Sequence, residues 1–179
     1  MSYKDEFLKI YKEYIKRDGS DELLDNLLKS DFFTAPASTR FHESYEGGLV
    51  EHSVKVFWKL KELLPNYDME TIAICGLLHD ICKVNYYKTE MRNKKDENGK
   101  WIQVPYYTVD DQFPYGHGEK SVYLINDIMK LTEDEAVAIR FHMGAYEGEH
   151  IWNSLSKVFE NNELAFYLHF ADMKATYNK

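Results

Sequence analysis

The chain has 179 residues, 44% of them apolar and 15% aromatic, which is enough for one domain with a packed core and excludes a disordered polymer. Its 30 acidic residues outnumber the 22 basic ones, and the net charge of −8 argues against binding a long nucleic acid over a large surface. A small phosphorylated substrate held at a metal ion is compatible with this net charge, because the charges close to the ion determine whether such a substrate binds.

The amino-terminal segment is charged and amphipathic, and it lacks the basic and apolar regions of a secretory signal. No apolar run is long enough to span a membrane. The two cysteines, Cys75 and Cys82, lie two turns apart in one predicted helix, which is too far for a disulfide bond. These features predict a reduced, cytoplasmic protein.

Apolar residues recur at three- and four-residue spacing along most of the chain, which predicts helices. The predicted helices span residues 3–17, 21–30, 48–64, 69–83, 117–130, 133–142 and 163–177. Two of their starts carry capping signals, Ser20 before the second helix and Thr132 with Glu135 at the sixth. With no internal repeat and no linker, the sequence predicts a single domain over residues 1–179, in which the helices of residues 1–35 pack on the rest.

Residues 85–110 are the exception to the helical pattern. Aromatic and β-branched residues flank the turn sequence Asp96-Glu97-Asn98-Gly99, which predicts a β-hairpin. The predicted fold is therefore mainly α, a compact helical bundle with one hairpin excursion.

Polar residues with metal-binding side chains occupy positions where a core residue is expected. His79 lies on the apolar stripe of its helix with Ile72 and Cys75, and Asp80 follows it directly. A buried carboxylate is costly unless it is paired or bound to a metal. For a single histidine of this kind, a hydrogen-bonded core position is the simpler interpretation.

The same pattern recurs in two other helices. His52 lies four residues before Val56 on the apolar stripe of its helix, and Asp172 follows Leu168 at the same interval. Four inward side chains of ligand type on three helices need a common partner. A divalent metal ion supplies one, because imidazoles and carboxylates are its usual ligands.

The order of these residues resembles the signature of HD-domain phosphohydrolases, which is a histidine, an adjacent His-Asp pair and a distant aspartate. The matching flanks are GGLVEHS at His52, GLLHDICK at His79-Asp80 and FADMKA at Asp172, and the resemblance covers residues 36–177. It implies an HD-domain helical bundle and a metal-dependent phosphohydrolase. The metal ligands that it implies are His52, His79, Asp80 and Asp172.

Two more histidines extend the resemblance. His117, in YGHGEKS, and His142, in RFHMG, look like the extra ligands of HD proteins that hold two metal ions, with Asp80 as the bridge. The ordinary alternative is a helix-start and a core-edge histidine. The pattern is especially similar to the HD part of bacterial 3′-to-5′ exoribonucleases, but Met143 stands where a second histidine often follows, and their accessory nucleic-acid-binding domain is not found. The resemblance implies one or two divalent ions, Mn, Fe, Zn, Ni or Mg.

Three residues are predicted to contact substrate. Lys83 lies one turn beyond His79, and the resemblance implies a phosphate contact, with an ion pair to Asp80 as the alternative. Arg40 and His42 precede the third helix in a polar segment, and an arginine binds phosphate in a bidentate manner. Basic and aromatic residues of the hairpin either form a lid that stacks a base or simply hold the hairpin on the helices.

The resulting prediction is an enzyme in which Asp80 and Lys83 are catalytic and a phosphoester of a nucleotide, or of a related small phosphorylated substrate, is cleaved by metal-activated water. The alternatives are a non-catalytic metal- and nucleotide-binding HD module, an exonuclease acting on nucleic-acid ends, and a di-iron oxygenase. The expected partner is a small nucleotide or phosphoester, with no membrane and no extended nucleic acid. A homo-oligomer is compatible with the sequence.

Overall fold

A computed structural model describes residues 1–177, which form eight α-helices around one apolar core. The helices are α1 (Tyr3–Tyr14), α2 (Ser20–Lys29), α3 (Gly48–Leu63), α4 (Met69–Leu78), α5 (His117–Asn126), α6 (Glu133–Phe141), α7 (Trp152–Asn161) and α8 (Glu163–Tyr177). Short 3₁₀ turns lie at Ile81–Lys83, Gly144–Glu147 and Glu149–Ile151. The predicted mainly α bundle with one hairpin is confirmed.

The apolar helix α4 lies in the middle of the bundle and packs closely on α3. Every residue of α4 from Ile72 to Leu78 is buried. The two helices approach most closely at Gly76, where an added Cβ would lie 2.5 Å from Cα of Phe57. Because only glycine leaves room for this approach, Gly76 sets the distance between α3 and α4. It thereby brings His52 on α3 close to His79 at the end of α4, with ring centroids 5.5 Å apart.

A buried ion pair fastens the amino-terminal region to the bundle. The carboxylate of Glu135, on α6, is fully buried and accepts hydrogen bonds from Nη1 and Nη2 of Arg17 at 2.7 and 2.9 Å. It also accepts from Oγ1 of Thr71 at 2.9 Å and from the backbone N–H of Thr132 at 2.8 Å. Thr132 and Glu135 form the predicted capping box, and Glu135 also connects α6 with α4 and with the residues after α1.

The hairpin consists of β1 (Tyr87–Lys95) and β2 (Trp101–Val109), paired antiparallel from Tyr87 opposite Val109 to Lys95 opposite Trp101. Gly99 has a φ of +77°, which glycine adopts without strain. The Asp96 carboxylate accepts from the backbone N–H groups of residues 98 and 100, which fixes the turn. The hairpin is where the sequence predicts it.

The structure differs from the predicted helix boundaries in three places. The helix predicted over 69–83 ends at Leu78, so Cys75 lies in α4 and Cys82 in the following 3₁₀ turn. The first helix ends at Tyr14 and α5 at Asn126, both earlier than predicted. Helix α7 was not predicted, because its first turn has no side-chain cap to mark a start. No helix within residues 1–177 is long and apolar enough to cross a bilayer.

Candidate metal centre

Six side chains that the sequence singles out lie together where five helices meet. They are His52 on α3, His79 and Asp80 after α4, His117 at the start of α5, His142 after α6 and Asp172 on α8. Their ligand-type atoms form overlapping groups in which all atoms lie within 4.8 Å of one another, and these groups include His52 with His79 and Asp172, His79 with Asp80 and His142, and Asp80 with Cys82 and His117.

Asp80 connects these groups, because its two carboxylate oxygens face different histidines. Oδ1 lies 2.8 Å from Nε2 of His117 and 3.5 Å from Nε2 of His142. Oδ2 lies 3.5 Å from Nε2 of His79 and 3.9 Å from Nε2 of His52. A carboxylate shared between two sets of ligands is the arrangement that two adjacent cations need.

The end of α4 places His79 and Asp80 side by side in the interior. His79 still has helical backbone angles (φ −54°, ψ −32°), whereas Asp80 leaves the helix at φ −104° and ψ 17°. The backbone N–H of Lys83 then donates to the carbonyl oxygen of Asp80 at 3.0 Å and closes the 3₁₀ turn. Both side chains are therefore buried although they follow each other in the chain.

His79 and His142 present Nε2 to the cluster in the form that binds a metal. Nδ1 of His79 lies 3.0 Å from the carbonyl oxygen of Gly76, and Nδ1 of His142 lies 2.7 Å from that of Ile139. Because a carbonyl oxygen only accepts, each Nδ1 carries the proton, and in the neutral ring each Nε2 carries a lone pair. Both Nε2 atoms are buried and have no hydrogen-bond partner within residues 1–177. A divalent cation beside Asp80 would satisfy both atoms, so these residues fit a metal ion.

Lys83 forms a buried ion pair with Asp80, with Nζ 2.7 Å from Oδ2. Burial alone raises the pKa of the Asp80 carboxyl, but the Lys83 ammonium and the His79 ring hold that pKa well below its usual value. Burial alone lowers the pKa of Lys83, and the Asp80 carboxylate more than reverses this. Asp80 is therefore a carboxylate and Lys83 an ammonium ion at neutral pH. The ion pair weighed as the alternative for Lys83 is present, and Lys83 also lines a cavity.

On the other side of the cluster, His52 lies between two carboxylates. Its Nε2 is 2.9 Å from Oδ1 of Asp172, and its Nδ1 is 3.9 Å from Oε2 of Glu43. Burial alone raises the pKa of the Asp172 carboxyl. The hydrogen bond with His52 outweighs this effect and holds the pKa well below its usual value. Glu43 is buried with a φ of +38°, and its Oε1 accepts from Lys55 at 2.8 Å. Glu43 was not predicted, because its burial depends on a turn that no pattern in the sequence reveals.

His117 contacts the cluster through Asp80 and is also close to a cysteine. Its Nδ1 lies 3.4 Å from Sγ of Cys82. Burial raises the pKa of the Cys82 thiol to about 12, with a further increase from Asp80. The thiol is therefore protonated at neutral pH. Because Sγ also lies 3.8 Å from Nε2 of His117, the thiol packs on the face of the imidazole and does not fix which ring nitrogen carries the proton. Nothing in the sequence spacing indicated this contact.

A large cavity of about 730 Å³ opens onto the cluster. Asp80, His117 and Asp172 line it together with Lys83 and His42, and within residues 1–177 no acidic side chain other than the two aspartates does so. Most of the remaining wall is apolar and aromatic, formed by Phe41, Tyr86, Tyr87, Met143, Tyr146, Met173 and Tyr177. The third predicted substrate residue, Arg40, lines a second cavity instead.

His169, for which the sequence suggested no role, also lines the large cavity. Its Nδ1 donates to the carbonyl oxygen of His142 at 2.6 Å, which helps to hold that residue. The ring fits there because Gly144, with a φ of +56°, has no side chain: a Cβ would lie 2.5 Å from Cε1 of His169. The available signal was spacing, since His169 falls three residues before Asp172 on α8.

The His42 ring packs on His52, with centroids 4.8 Å apart, and its pKa is lowered from 6.5 to about 4 by burial and then by the neighbouring His52 and Lys83. His42 therefore binds a proton near pH 6.5 in the unfolded chain but only near pH 4 in the folded protein. As the pH falls between these values, protonation favours the unfolded chain and lowers the free energy of unfolding. Between pH 7 and pH 5, we expect the free energy of unfolding of the metal-free protein to fall by about 1–2 kcal/mol more than that of its His42→Gln variant. This figure allows for the partial exposure of the His42 ring. Urea unfolding at both pH values measures this difference.

The matched control for His42 is His150→Gln, because His150 is exposed and lies outside the cluster. The free energy of unfolding of this control should fall between pH 7 and pH 5 by the same amount as that of the unmodified protein. If the free energy of unfolding fell equally in the His42→Gln variant and in the unmodified protein, this would contradict the assignment of a lowered pKa to His42.

Comparison with known proteins finds a matching family model and a curated relative. A model of the family described as "HD domain" matches residues 49–175. The dihydroneopterin 2′,3′-cyclic phosphate phosphodiesterase of Methanocaldococcus jannaschii is 42% identical over 65 residues, which are 31% of this chain and 26% of that protein. The match thus spans about a quarter of that relative's length. No solved structure matches the chain.

Proposed function

The chain belongs to the HD-domain family, and from this we propose that it is a metal-dependent phosphohydrolase that cleaves a phosphoester of a nucleotide, or of a related small phosphorylated substrate, with metal-activated water. The observation that carries the proposal is the pair of buried Nε2 atoms of His79 and His142, both without a partner and both 3.5 Å from Asp80. Catalysis and metal binding at these residues are proposals that rest on this geometry.

The proposed ligands divide between two ions that share Asp80. His52, His79 and Asp172 would hold one ion with Asp80, and His117 and His142 would hold the other with Asp80. When bound, such ions supply hydroxide near neutral pH and polarise a phosphoryl oxygen. The similarity to exoribonucleases rests on the sequence motifs around these residues and stays a proposal.

The protein's own groups position the scissile phosphate. The Lys83 ammonium lines the cavity beside the carboxylate of Asp80, where it can bind a phosphate oxygen and offset its charge. In the metal-free protein, the hydrogen bond between His52 and Asp172 keeps both side chains directed at the cluster. The apolar wall of the cavity excludes water from one side of the substrate.

The large cavity favours a substrate with a planar ring. Its volume of about 730 Å³ lies in the range of small-molecule sites, and its rim carries exposed aromatic side chains, among them Phe41, Tyr146 and Tyr177. A nucleobase stacks on such rings whatever its identity. The curated relative is named for a cyclic phosphate that also carries a heterocycle, which supports the same substrate class here.

Protein loaded with Mn²⁺ or Fe²⁺ is expected to hydrolyse at least one member of a panel of nucleoside mono- and triphosphates, cyclic nucleotides and dinucleotides. Released phosphate and nucleoside are measured by chromatography. Chelation with EDTA should abolish turnover, and added Mn²⁺ should restore it, because the ions supply the nucleophile. A protein that retains its metal and cleaves no member of the panel would overturn the proposal.

The main rival is a non-catalytic module that binds metal and nucleotide. Calorimetry that shows tight nucleotide binding without turnover in the metal-loaded protein would favour it. Labelled oligonucleotides in the panel test the exonuclease alternative, and oxygen consumption with iron-loaded protein tests the oxygenase. The six ligand-type side chains gathered in one cluster, three of which line the large cavity, favour the hydrolase, since a module that only binds has no need of a complete set.

A further inference from the structure

A small cavity of about 380 Å³ lies between residues 38–44 and the hairpin. Polar side chains from both segments line it, among them Thr39, Arg40, Ser44, Thr89, Arg92 and Tyr106. Thr39 also lines the large cavity, so the two cavities adjoin at this residue. Thr39 is therefore the point at which a molecule bound at the metal centre would approach the small cavity.

The two arginines of the small cavity are free to bind an anion. The Arg40 guanidinium stacks on the Phe41 ring and that of Arg92 on the Tyr106 ring, each 5.1 Å from the ring centroid. Stacking covers the face of a guanidinium and leaves the N–H groups at its edge available. Within residues 1–177, arginine ion pairs involve only Arg17 and Arg140, so neither cavity arginine has a carboxylate partner.

The segment that carries Arg40 is fixed before any ligand binds. The Ser38 hydroxyl accepts from the backbone N–H groups of Phe41 and His42 at 2.9 and 3.0 Å and donates to the carbonyl oxygen of His42 at 2.7 Å. The Tyr87 hydroxyl donates to the carbonyl oxygen of Ala37 at 3.1 Å and connects the hairpin to the same segment. Because the backbone on both sides of the small cavity is held in this way, binding of an anion costs little entropy for ordering these segments.

We propose that the small cavity binds a second phosphate of the substrate, through Arg40 and Arg92, while the first phosphate lies at the metal centre. The substrate class is then a nucleoside that carries phosphates at two positions, or a dinucleotide with a terminal phosphate, rather than a simple monophosphate. Two unpaired guanidiniums in a protein of net charge −8 are the chemistry that selects such a dianionic group. This inference rests on the proposed function for the first phosphate, and its binding test below does not need turnover.

The binding test uses Mn²⁺-loaded protein and calorimetry with non-hydrolysable analogues of adenosine 3′,5′-bisphosphate and adenosine 5′-monophosphate. The bisphosphate should bind more tightly than the monophosphate. Arg40→Ala and Arg92→Ala should each weaken bisphosphate binding about tenfold and change monophosphate binding less than about twofold, as expected for loss of one charge-assisted contact. Lys94→Ala is the matched control, because Lys94 is an exposed cation on the same strand that does not line the cavity.

Equal affinity of all variants for the bisphosphate would overturn the inference, as would equal weakening for both nucleotides. Inorganic phosphate that binds as tightly as the bisphosphate would also overturn it, because the site would then serve a separate anion. Thermal unfolding checks that each variant is folded. With a bisphosphate that is turned over, the arginine variants should raise KM and leave kcat unchanged. Absence of all turnover with the binding pattern intact would reject the hydrolase proposal and leave the phosphate subsite standing.

Discussion

Replacing Asp80 by asparagine is expected to remove the bound metal and to lower phosphoester hydrolysis on the order of 10³-fold or more. The amide has nearly the same shape but no negative charge, and the carboxylate is the one side chain near both sets of histidines. Loss of this charge also leaves the Lys83 ammonium without its buried partner, which opposes binding of a second cation. Metal content by mass spectrometry and turnover with the best panel substrate measure the two effects.

Asp111→Asn is the matched control for this variant. Asp111 also accepts from a lysine ammonium, that of Lys120 at 2.7 Å, but it lies outside the cluster. The control should keep its metal and most of its activity. An Asp80→Asn protein that is folded, by circular dichroism, and keeps its full metal content would show that Asp80 is not a ligand.

Replacing Glu135 by alanine is expected to destabilise the protein by about 2–3 kcal/mol, because the partly buried Arg17 guanidinium then keeps only its longer contact with Glu70, at 3.4 Å. The variant also deprives Thr71 and the backbone N–H of Thr132 of their acceptor. Burial raises the pKa of the Glu135 carboxyl, but the hydrogen bond from Arg17 and those from α6 and α4 lower it overall. The group is therefore ionised at pH 7, and its contribution is present above the unfolded pKa of about 4.5 and lost as the pH falls below it.

Urea unfolding at pH 7 measures the Glu135 effect. Glu133→Ala is the control, because Glu133 is exposed in the first turn of the same helix and should change stability by less than about 1 kcal/mol. A change of that small size for Glu135→Ala would contradict the view that this ion pair fastens the amino-terminal region to the bundle.

The sequence predicted the location of the cluster because its ligand-type side chains break a strong pattern. His52 and Asp172 each stand where a helix should bury a leucine, so their inward direction follows from helical spacing alone. The hairpin was predictable for a similar reason, since Asn98 and Gly99 favour a tight turn between strand-forming segments. Metal binding by these residues stays a prediction.

The surrounding residues were beyond the reach of the sequence, because they act through contacts between distant segments. The approach of Arg17 to Glu135 and of Glu43 to His52 depends on how helices and turns meet. The early end of α4 depends on a similar constraint, since nothing in the run from Ile72 to Lys83 opposes a helix. Arg92, too, lies beside Arg40 only because the hairpin packs against residues 38–44.

The closed base of the hairpin has a consequence for how chains of this kind diverge. The backbone N–H of Asp110 donates to the carbonyl oxygen of Tyr86 at 2.8 Å, so the strands enter and leave at one point. Insertions or deletions at the turn lengthen or shorten the ladder without moving Asp80 or His117. The interval between the His-Asp pair and the next histidine is thus free to vary, since extending a closed loop costs little. A sequence pattern that demands a fixed number of residues there would miss genuine relatives.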